Sequence, residues 1–373
     1  MSINQYFSDS YAVSRLKFRS LLEAVQQRWP EAELKTVAVC PDKEFTTDMI
    51  IAQPREKRHV LMVTTGQHGI EGYAGGAFLQ LLAREYLDKL DPELTGLVLV
   101  HAINPWGMAN YRRVDQDNID LNRNFITDWS EFKDINKDYS RLRFLLEPGE
   151  LGKKREKAAF YFRVARALML AGSGGIKRAL TLGQYQFDKG LYYGGSEHQP
   201  VARWLIDLYR GVLRDYKHVL HLDIHTGYGP ARRMTIVNSA LDPRDTAGLK
   251  EQLGYDLIVK ADPQEFYSIQ GDMVDYNCGL GRQYPDTQLY STCFEFGTLG
   301  DSIGALLQSM RALIDENRLW QHGGGDTLRD EVIRKQFVEA FYPSCSIWRQ
   351  RAVEDAQRAL TGILGNEGLI TSN

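Results

Sequence analysis

HVLMVTTGQHGIEGYAGGAFLQLLAREYLDKLDPELTGLVLVHAIN (59–104) holds two apolar runs of strand length, HVLMVTTG (59–66) and TGLVLVHAIN (95–104). Between them GAFLQLLAREYLDKL (76–90) places its apolar residues at helical spacing. A strand, a helix and a second strand in this order form a βαβ unit, whose two strands run parallel because the helix carries the chain back across one face. The alternation returns downstream. PVARWLIDLYRGVLRDY (200–216) reads as a helix leading into the strand HVLHLDIHTG (218–227), and LYSTCFEFGTLG (289–300) as a strand leading into the helix SIGALLQSMRALIDENRLW (302–320). We therefore expect a single α/β domain over residues 1–373, with a central mixed, largely parallel twisted sheet and helices on both faces.

No internal repeat or low-complexity linker divides the 373 residues, and a hydrophobic content of 43% suffices for one large core. The charged, helix-like stretch from Asp128 to Arg178 reads as an insertion, so we assign 128–200 to a helical insertion and cleft loop, and 366–373 to a flexible tail. Lys plus Arg number 45 against 48 Asp plus Glu, a formal net charge of -3, which leaves no field to attract nucleic acid. Cys40, Cys278, Cys293 and Cys345 are too dispersed for a disulfide framework. The N-terminal MSINQYFSDSYAVSRLKF lacks the apolar core of a secretory signal, and no uncharged run reaches the ~20 residues of a membrane span. The expectation is a cytoplasmic protein with no membrane partner, acting on small or peptide-like substrates.

In open parallel sheets ligands bind beyond the carboxyl ends of the strands, where the chain turns and side chains converge. Four strand ends here carry reactive residue types. At TTGQHGIEGYAGG, His68 and Glu71 stand three apart in a glycine-rich entry to a helix, a spacing that lets an imidazole and a carboxylate share one cation. A helix N-terminus holding Glu71 at its positive end explains the pair equally well. The second strand end continues as INPWGMANYRRVDQDNIDLNRNF (103–125), where Arg112, Arg113 and Arg123 offer planar forks for a carboxylate and Asn122 a neutral donor and acceptor. A solvated surface loop is the bland alternative. Metal-bound imidazoles pass their second N–H to an oxygen, a task within reach of Asp120 for His68 and Asp223 for His225.

The third end, HLDIHTGYG, puts His221, Asp223 and His225 on one side of a strand. His225 lies at the strand terminus, whereas His221 sits deeper and reads as a hydrogen-bonded core residue; His218 reads as surface. The fourth end sets Glu295 between Phe294 and Phe296. A carboxylate in such apolar company needs a counter-ion or a catalytic reason. Neither a GxSxG elbow, a P-loop nor a GxGxxG turn after a strand is present, which removes serine-hydrolase and nucleotide-binding readings.

These segments in this order resemble the zinc carboxypeptidase superfamily, nearest its branch of aspartoacylases, succinylglutamate desuccinylases and uncharacterised DUF2817-type proteins. HGIE (68–71) looks like the family's metal pair, NPWG (104–107) with RRVDQDNIDLNRNF (112–125) like its Asn-Pro stretch and Asn-Arg substrate motif, DIHTG (223–227) like the third-ligand segment, and FEFGT (294–298) like the segment bearing the catalytic glutamate. The resemblance implies one zinc ion held by His68, Glu71 and His225, with Asn122 and Arg123 on the substrate's carboxylate or acyl-side anion and Glu295 as general base for a metal-activated water. Arg113 takes the carbonyl-polarising role by position, with the adjacent Arg112 as its alternative.

The implied activity is hydrolysis of an amide bond next to a free carboxylate, at a peptide C-terminus or in an N-acyl amino acid. Alternatives are an esterase or deacylase on another acyl substrate, or a binding protein that keeps the pocket without turnover. Two features lie outside the family pattern. The active-site tyrosine is not assigned by spacing, since Tyr267, Tyr276 and Tyr290 all qualify, and GQYQFDKGLYYGG (183–195) reads either as a loop lining the cleft or as an ordinary hairpin. Oligomeric state is not set by the sequence.

Overall fold

The computed structural model describes residues 3–131, 136–150, 156–261, 270–324 and 326–371. Its strands are β1 (Glu33–Val37), β2 (Thr47–Ala52), β3 (His59–Thr65), β4 (Thr95–His101), β5 (His218–Gly227), β6 (Met234–Asn238), β7 (Ile258–Lys260) and β8 (Gln288–Gly297). Its helices are α1 (Tyr11–Gln26), α2 (Gly72–Glu85), α3 (Pro105–Ala109), α4 (Lys137–Leu146), α5 (Glu156–Thr181), α6 (Pro200–Asp215), α7 (Thr246–Leu253), α8 (Met273–Gly281), α9 (Ile303–His322), α10 (Thr327–Phe341) and α11 (Ser346–Asn366).

All eight strands form one sheet in the order β1-β2-β4-β3-β5-β8-β6-β7. The four at its centre, β4, β3, β5 and β8, are mutually parallel, while β2 on one side and β6 on the other pair with them antiparallel. This is the mixed, largely parallel sheet expected from the strand–helix alternation. Both faces are covered. Leu61, Val63, Leu97 and Leu99 share a core with Phe18 of α1, Phe78 of α2 and Leu360 of α11, whereas the alternate residues Val60, Met62, Val98 and Val100 pack with Leu205 of α6 and Met273 of α8. Burial on both faces is why the central strands are continuous apolar runs rather than alternating ones.

The helix expected at 76–90 begins four residues earlier, at Gly72, and gives way to a 3-10 turn over Leu87–Lys89. Glycines that read as loop serve close packing here: a Cβ on Gly75 would stand 2.5 Å from Thr65 Cβ, so only glycine lets α2 lie this near β3. Helices α4 and α5 fall in the stretch read as an insertion and pack against each other. The expectation of a loose tail from 366 is corrected as far as Ile370, because Leu369 is buried in the core and its N–H donates to Leu364 O at 2.9 Å. His218 is likewise not a surface residue; it is half-buried, with Nε2 3.0 Å from Glu367 Oε2. Among the described residues no helix is long and apolar enough to cross a membrane, and the four cysteines are unpaired.

His101, at the end of β4, is fully buried against Phe18 and bonded to Ser14 Oγ at 2.8 Å. Burial pushes its pKa down to about 4, with Asp48 offsetting only part of that effect. The unfolded chain therefore binds a proton that the folded chain refuses. Stability present above pH 6.5 is lost as the pH falls toward 4, by roughly 3 kcal/mol from this residue. A ring-resonance titration by NMR should show His101 neutral at pH 5.5; a midpoint near 6.5 would contradict its burial.

Candidate metal centre and active site

Three strand ends and two connecting segments build the site. After β3, Gln67 and His68 lead into a 3-10 turn, Gly69–Glu71, that docks on the Asn-Pro segment: Gly69 N–H donates to Arg113 O and Ile70 N–H to Arg112 O. A Cβ on Gly69 would lie 2.1 Å from the Gly107 carbonyl carbon, so the glycine of HGIE is required by backbone contact. On the neighbouring strand β5, Asp223 and His225 project from one face. The β5–β8 register sets His225 directly beside Glu295.

His68, Glu71 and His225 converge, with one ligand atom from each lying within 4.8 Å of the others, and all three are buried. His68 Nδ1 is 2.9 Å from Glu71 Oε1, His225 Nδ1 is 3.0 Å from Glu71 Oε2, and the two Nδ1 atoms are 3.2 Å apart. Each ring's Nε2 faces a buried carboxylate: Asp120 Oδ1 at 3.0 Å from His68 and Asp223 Oδ2 at 2.6 Å from His225. A carboxylate only accepts, so Nε2 carries the hydrogen and Nδ1 turns toward the shared centre.

Donor atoms around a tetrahedral zinc with bonds of ~2.0–2.1 Å lie about 3.3 Å apart, close to these separations. The electrostatics also call for a cation. Burial alone would lower the His225 pKa, yet the Asp223 and Glu71 carboxylates hold it well above 6.5. Burial likewise opposes ionisation of Asp120, and Arg113 and His68 overcome it. The residues present therefore fit a divalent ion by chemistry and by spacing.

Arg113 and Arg112 part company. Arg113 reaches into the site, with Nη1 3.1 Å from Glu71 Oε1 and Nε 3.3 Å from Asp120 Oδ2. Arg112 points away from it, bound to Glu316 at 2.8 Å and to Asn317, with its guanidinium 4.5 Å from the Trp320 ring centre. That engagement corrects the expectation of Arg112 at the substrate. Asn122 is committed as well, its amide nitrogen donating to Asp272 and its oxygen accepting from Met273 N–H, so it anchors the start of α8 rather than facing a ligand.

Arg123 is buried, and among the described residues its hydrogen bond runs from Nη1 to the Asn122 carbonyl while Nε has no partner. Glu295 accepts from Tyr228 N–H at 3.0 Å. Burial and then the charge of Glu71 push its carboxyl up to about 7, against the pull of His225.

Tyr290 is a core residue bonded to Asn238, and Tyr276 packs on Phe125, so neither serves the centre; Tyr267 lies outside the described residues. Sequence reasoning missed Tyr192, whose ring sits 5.9 Å from the Arg113 guanidinium carbon and 5.6 Å from that of Arg123. It belongs to the 183–195 segment, which is tied to the turn bearing Asp120: Asp120 N–H donates to Tyr193 O, and Asn118 donates to Asp188 O and Gly190 O. The aromatic, glycine-rich run GLYYGG was the available signal. Asp115, which is buried, and Asp275, which is half-buried, are carboxyls that the sequence pattern did not single out, each pushed up to about 7 by desolvation.

Among solved structures the chain is similar to bovine thrombin-activatable fibrinolysis inhibitor in complex with tick carboxypeptidase inhibitor, at 14% identity over 90% of this chain and 97% of that one, with a TM-score of 0.45. It is also similar to the product-bound ectoine utilization protein EutE (DoeB) of Ruegeria pomeroyi, at 13% identity over 92% and 69% of the two chains, TM-score 0.42. A metallo-carboxypeptidase of Pseudomonas aeruginosa in complex with (2-guanidinoethylmercapto)succinic acid matches at 13% identity over 95% and 69%, TM-score 0.45. No curated protein matches. The model of one family, described as a protein of unknown function (DUF2817), matches residues 7–355, which include all the strands of the sheet and every residue of the centre, and the chain belongs to that family.

Proposed function

We propose that this protein is a zinc-dependent hydrolase that cleaves an amide bond next to a free carboxylate, at a peptide C-terminus or in an N-acyl amino acid. The observation that carries this reading is Arg123. The residue is 3% exposed, and among the described residues no carboxylate lies within ion-pair distance of its guanidinium. Removing a cation from water costs several kcal/mol, a cost that the nearby Asp120 carboxylate offsets in part and that a substrate carboxylate would offset further by a charge-assisted pair. Arg123 follows Asp120 in the same short turn, and Asp120 holds His68, so the anion would be seated beside the three metal-ligating groups.

In this reading His68, Glu71 and His225 hold one zinc ion, which when bound supplies Lewis-acid charge and an acidified water. Glu295, one strand from His225, takes the proton of the attacking water and returns it to the leaving nitrogen. A carboxyl already raised by burial is suited to both transfers near neutral pH. Arg113 faces the oxygen on which charge develops, and Asp120 and Asp223 keep the two imidazoles in one orientation. The ordered resemblance of HGIE, DIHTG and FEFGT to the zinc carboxypeptidase motifs supports the same assignment.

A panel of N-acyl amino acids, dipeptides and acyl esters, each offered with a free or an amidated carboxylate, tests the reading. Hydrolysis of the free-carboxylate amides should stop on chelation and return with zinc. Arg123→Gln should raise KM for those compounds by about 10- to 100-fold, the worth of a hydrogen bond to a charged group, and leave the amidated series unchanged. Equal hydrolysis of the amidated series by the wild type would remove the carboxylate from the specificity, and turnover confined to esters would point to the deacylase alternative.

A further inference from the structure

Below the metal-ligating groups, a line of fully buried polar side chains crosses three strands. His225 Nε2 meets Asp223 Oδ2, and the other oxygen of Asp223 accepts from Thr64 Oγ1 at 2.7 Å. Thr64 Oγ1 is in turn 2.9 Å from His221 Nε2, and His221 Nδ1 is 2.8 Å from Ser291 Oγ. Each of these residues is at most 4% exposed, and the line runs from β8 through β5 to β3.

One constraint sets every direction along it. A threonine hydroxyl has a single hydrogen, and Thr64 gives it to Asp223. Toward His221 the same oxygen can only accept, so His221 Nε2 is the donor. A neutral imidazole that donates from Nε2 accepts at Nδ1, where Ser291 supplies its hydroxyl hydrogen. Neutrality of His221 is consistent with its depth, since burial pushes its pKa down to about 4. The second oxygen of Asp223 is thereby left for His225 Nε2–H, which keeps His225 Nδ1 turned toward His68 and Glu71.

We propose that Thr64 and His221 are positioning residues for the metal, acting through Asp223 to hold His225 in the tautomer and ring orientation that present Nδ1. This rests on the functional reading above and extends it by assigning a role to a histidine that pattern alone places in the core. Neither residue touches the ion or the substrate. An outer hydrogen-bond partner of a ligating histidine, as Asp223 is for His225, is worth about 10- to 100-fold in metal affinity, and Thr64→Val, which preserves shape while removing both hydrogen bonds one step further out, should weaken zinc binding by about tenfold.

Competition with a chromophoric chelator measures the affinity. Thr64→Ser should restore it, and His221→Phe should lower it as Thr64→Val does. A merely structural role would lower the melting temperature of these variants and leave zinc affinity unchanged, which would overturn the proposal. Nitrogen-15 NMR of the metal-free wild type gives a reading that does not depend on the variants folding. His221 should be neutral with its hydrogen on Nε2, and the opposite tautomer would overturn the proposal by itself. A wild type that binds no zinc defeats the functional reading and this proposal together, whereas zinc-binding wild type with an unaltered Thr64→Val defeats this proposal alone.

Discussion

Glu295→Gln should lower kcat by about a hundred- to ten-thousand-fold while the purified protein keeps its zinc. Glutamine preserves the shape of the side chain and can still accept from Tyr228 N–H, the bond that fixes the Glu295 carboxyl. What it lacks is the ability to gain and return a proton. Because Glu295 is not among the three converging groups proposed to hold the ion, metal content and affinity should stay near wild type. KM should change little, since the role assigned to the residue lies in the chemical step. Activity equal to wild type in a zinc-replete Glu295→Gln protein would eliminate Glu295 as the base, and loss of zinc would instead place it among the ligands.

The second large effect is expected at His225. His225→Ala should abolish both zinc retention and hydrolysis, because two donors cannot close the His2Glu set. Stability gives an independent reading. Zinc supplied at about a hundredfold above its dissociation constant should stabilise the wild type by roughly 2.7 kcal/mol through mass action, and should leave His225→Ala unmoved. Asp223 and Glu71 lose a buried partner in this variant, so a lower starting stability is expected as well. Zinc-dependent stabilisation surviving in His225→Ala would show that the ion binds elsewhere.

Much of the centre was readable because its chemistry sits at chain turns with strong local signatures. HGIE, DIHTG and FEFGT each end a strand, and parallel strands necessarily bring their carboxyl ends to one rim. The antiparallel margins of the sheet were harder to read. β1, β2, β6 and β7 run to three to six residues each and lack the long apolar stretch that marked β3 and β4. The start of α2 was misplaced for a related reason, since glycines that permit contact with Thr65 look identical in sequence to glycines that permit a turn.

Asn122, Arg112 and His221 show the limit more sharply. Asn122 and Arg112 have residue types suited to binding a substrate carboxylate, yet both are turned into the protein's own framework by Asp272 and Glu316. Arg112 and Arg113 are adjacent and chemically equal, and they follow Tyr111, whose φ is +52°. The turn there sends one guanidinium toward Glu316 of α9 and the other toward Glu71.

Periodicity, strand-end chemistry and motif order, all properties of short stretches of chain, were enough to define a mixed, largely parallel α/β sheet and to nominate two imidazoles and a carboxylate for one cation. Which arginine reaches the centre, and how a core histidine connects to His225, were settled only by packing. Those outcomes depend on partners up to about two hundred positions away in the chain, and a side chain's hydrogen bonds are fixed by what the fold brings within 3 Å of it, not by its neighbours in sequence.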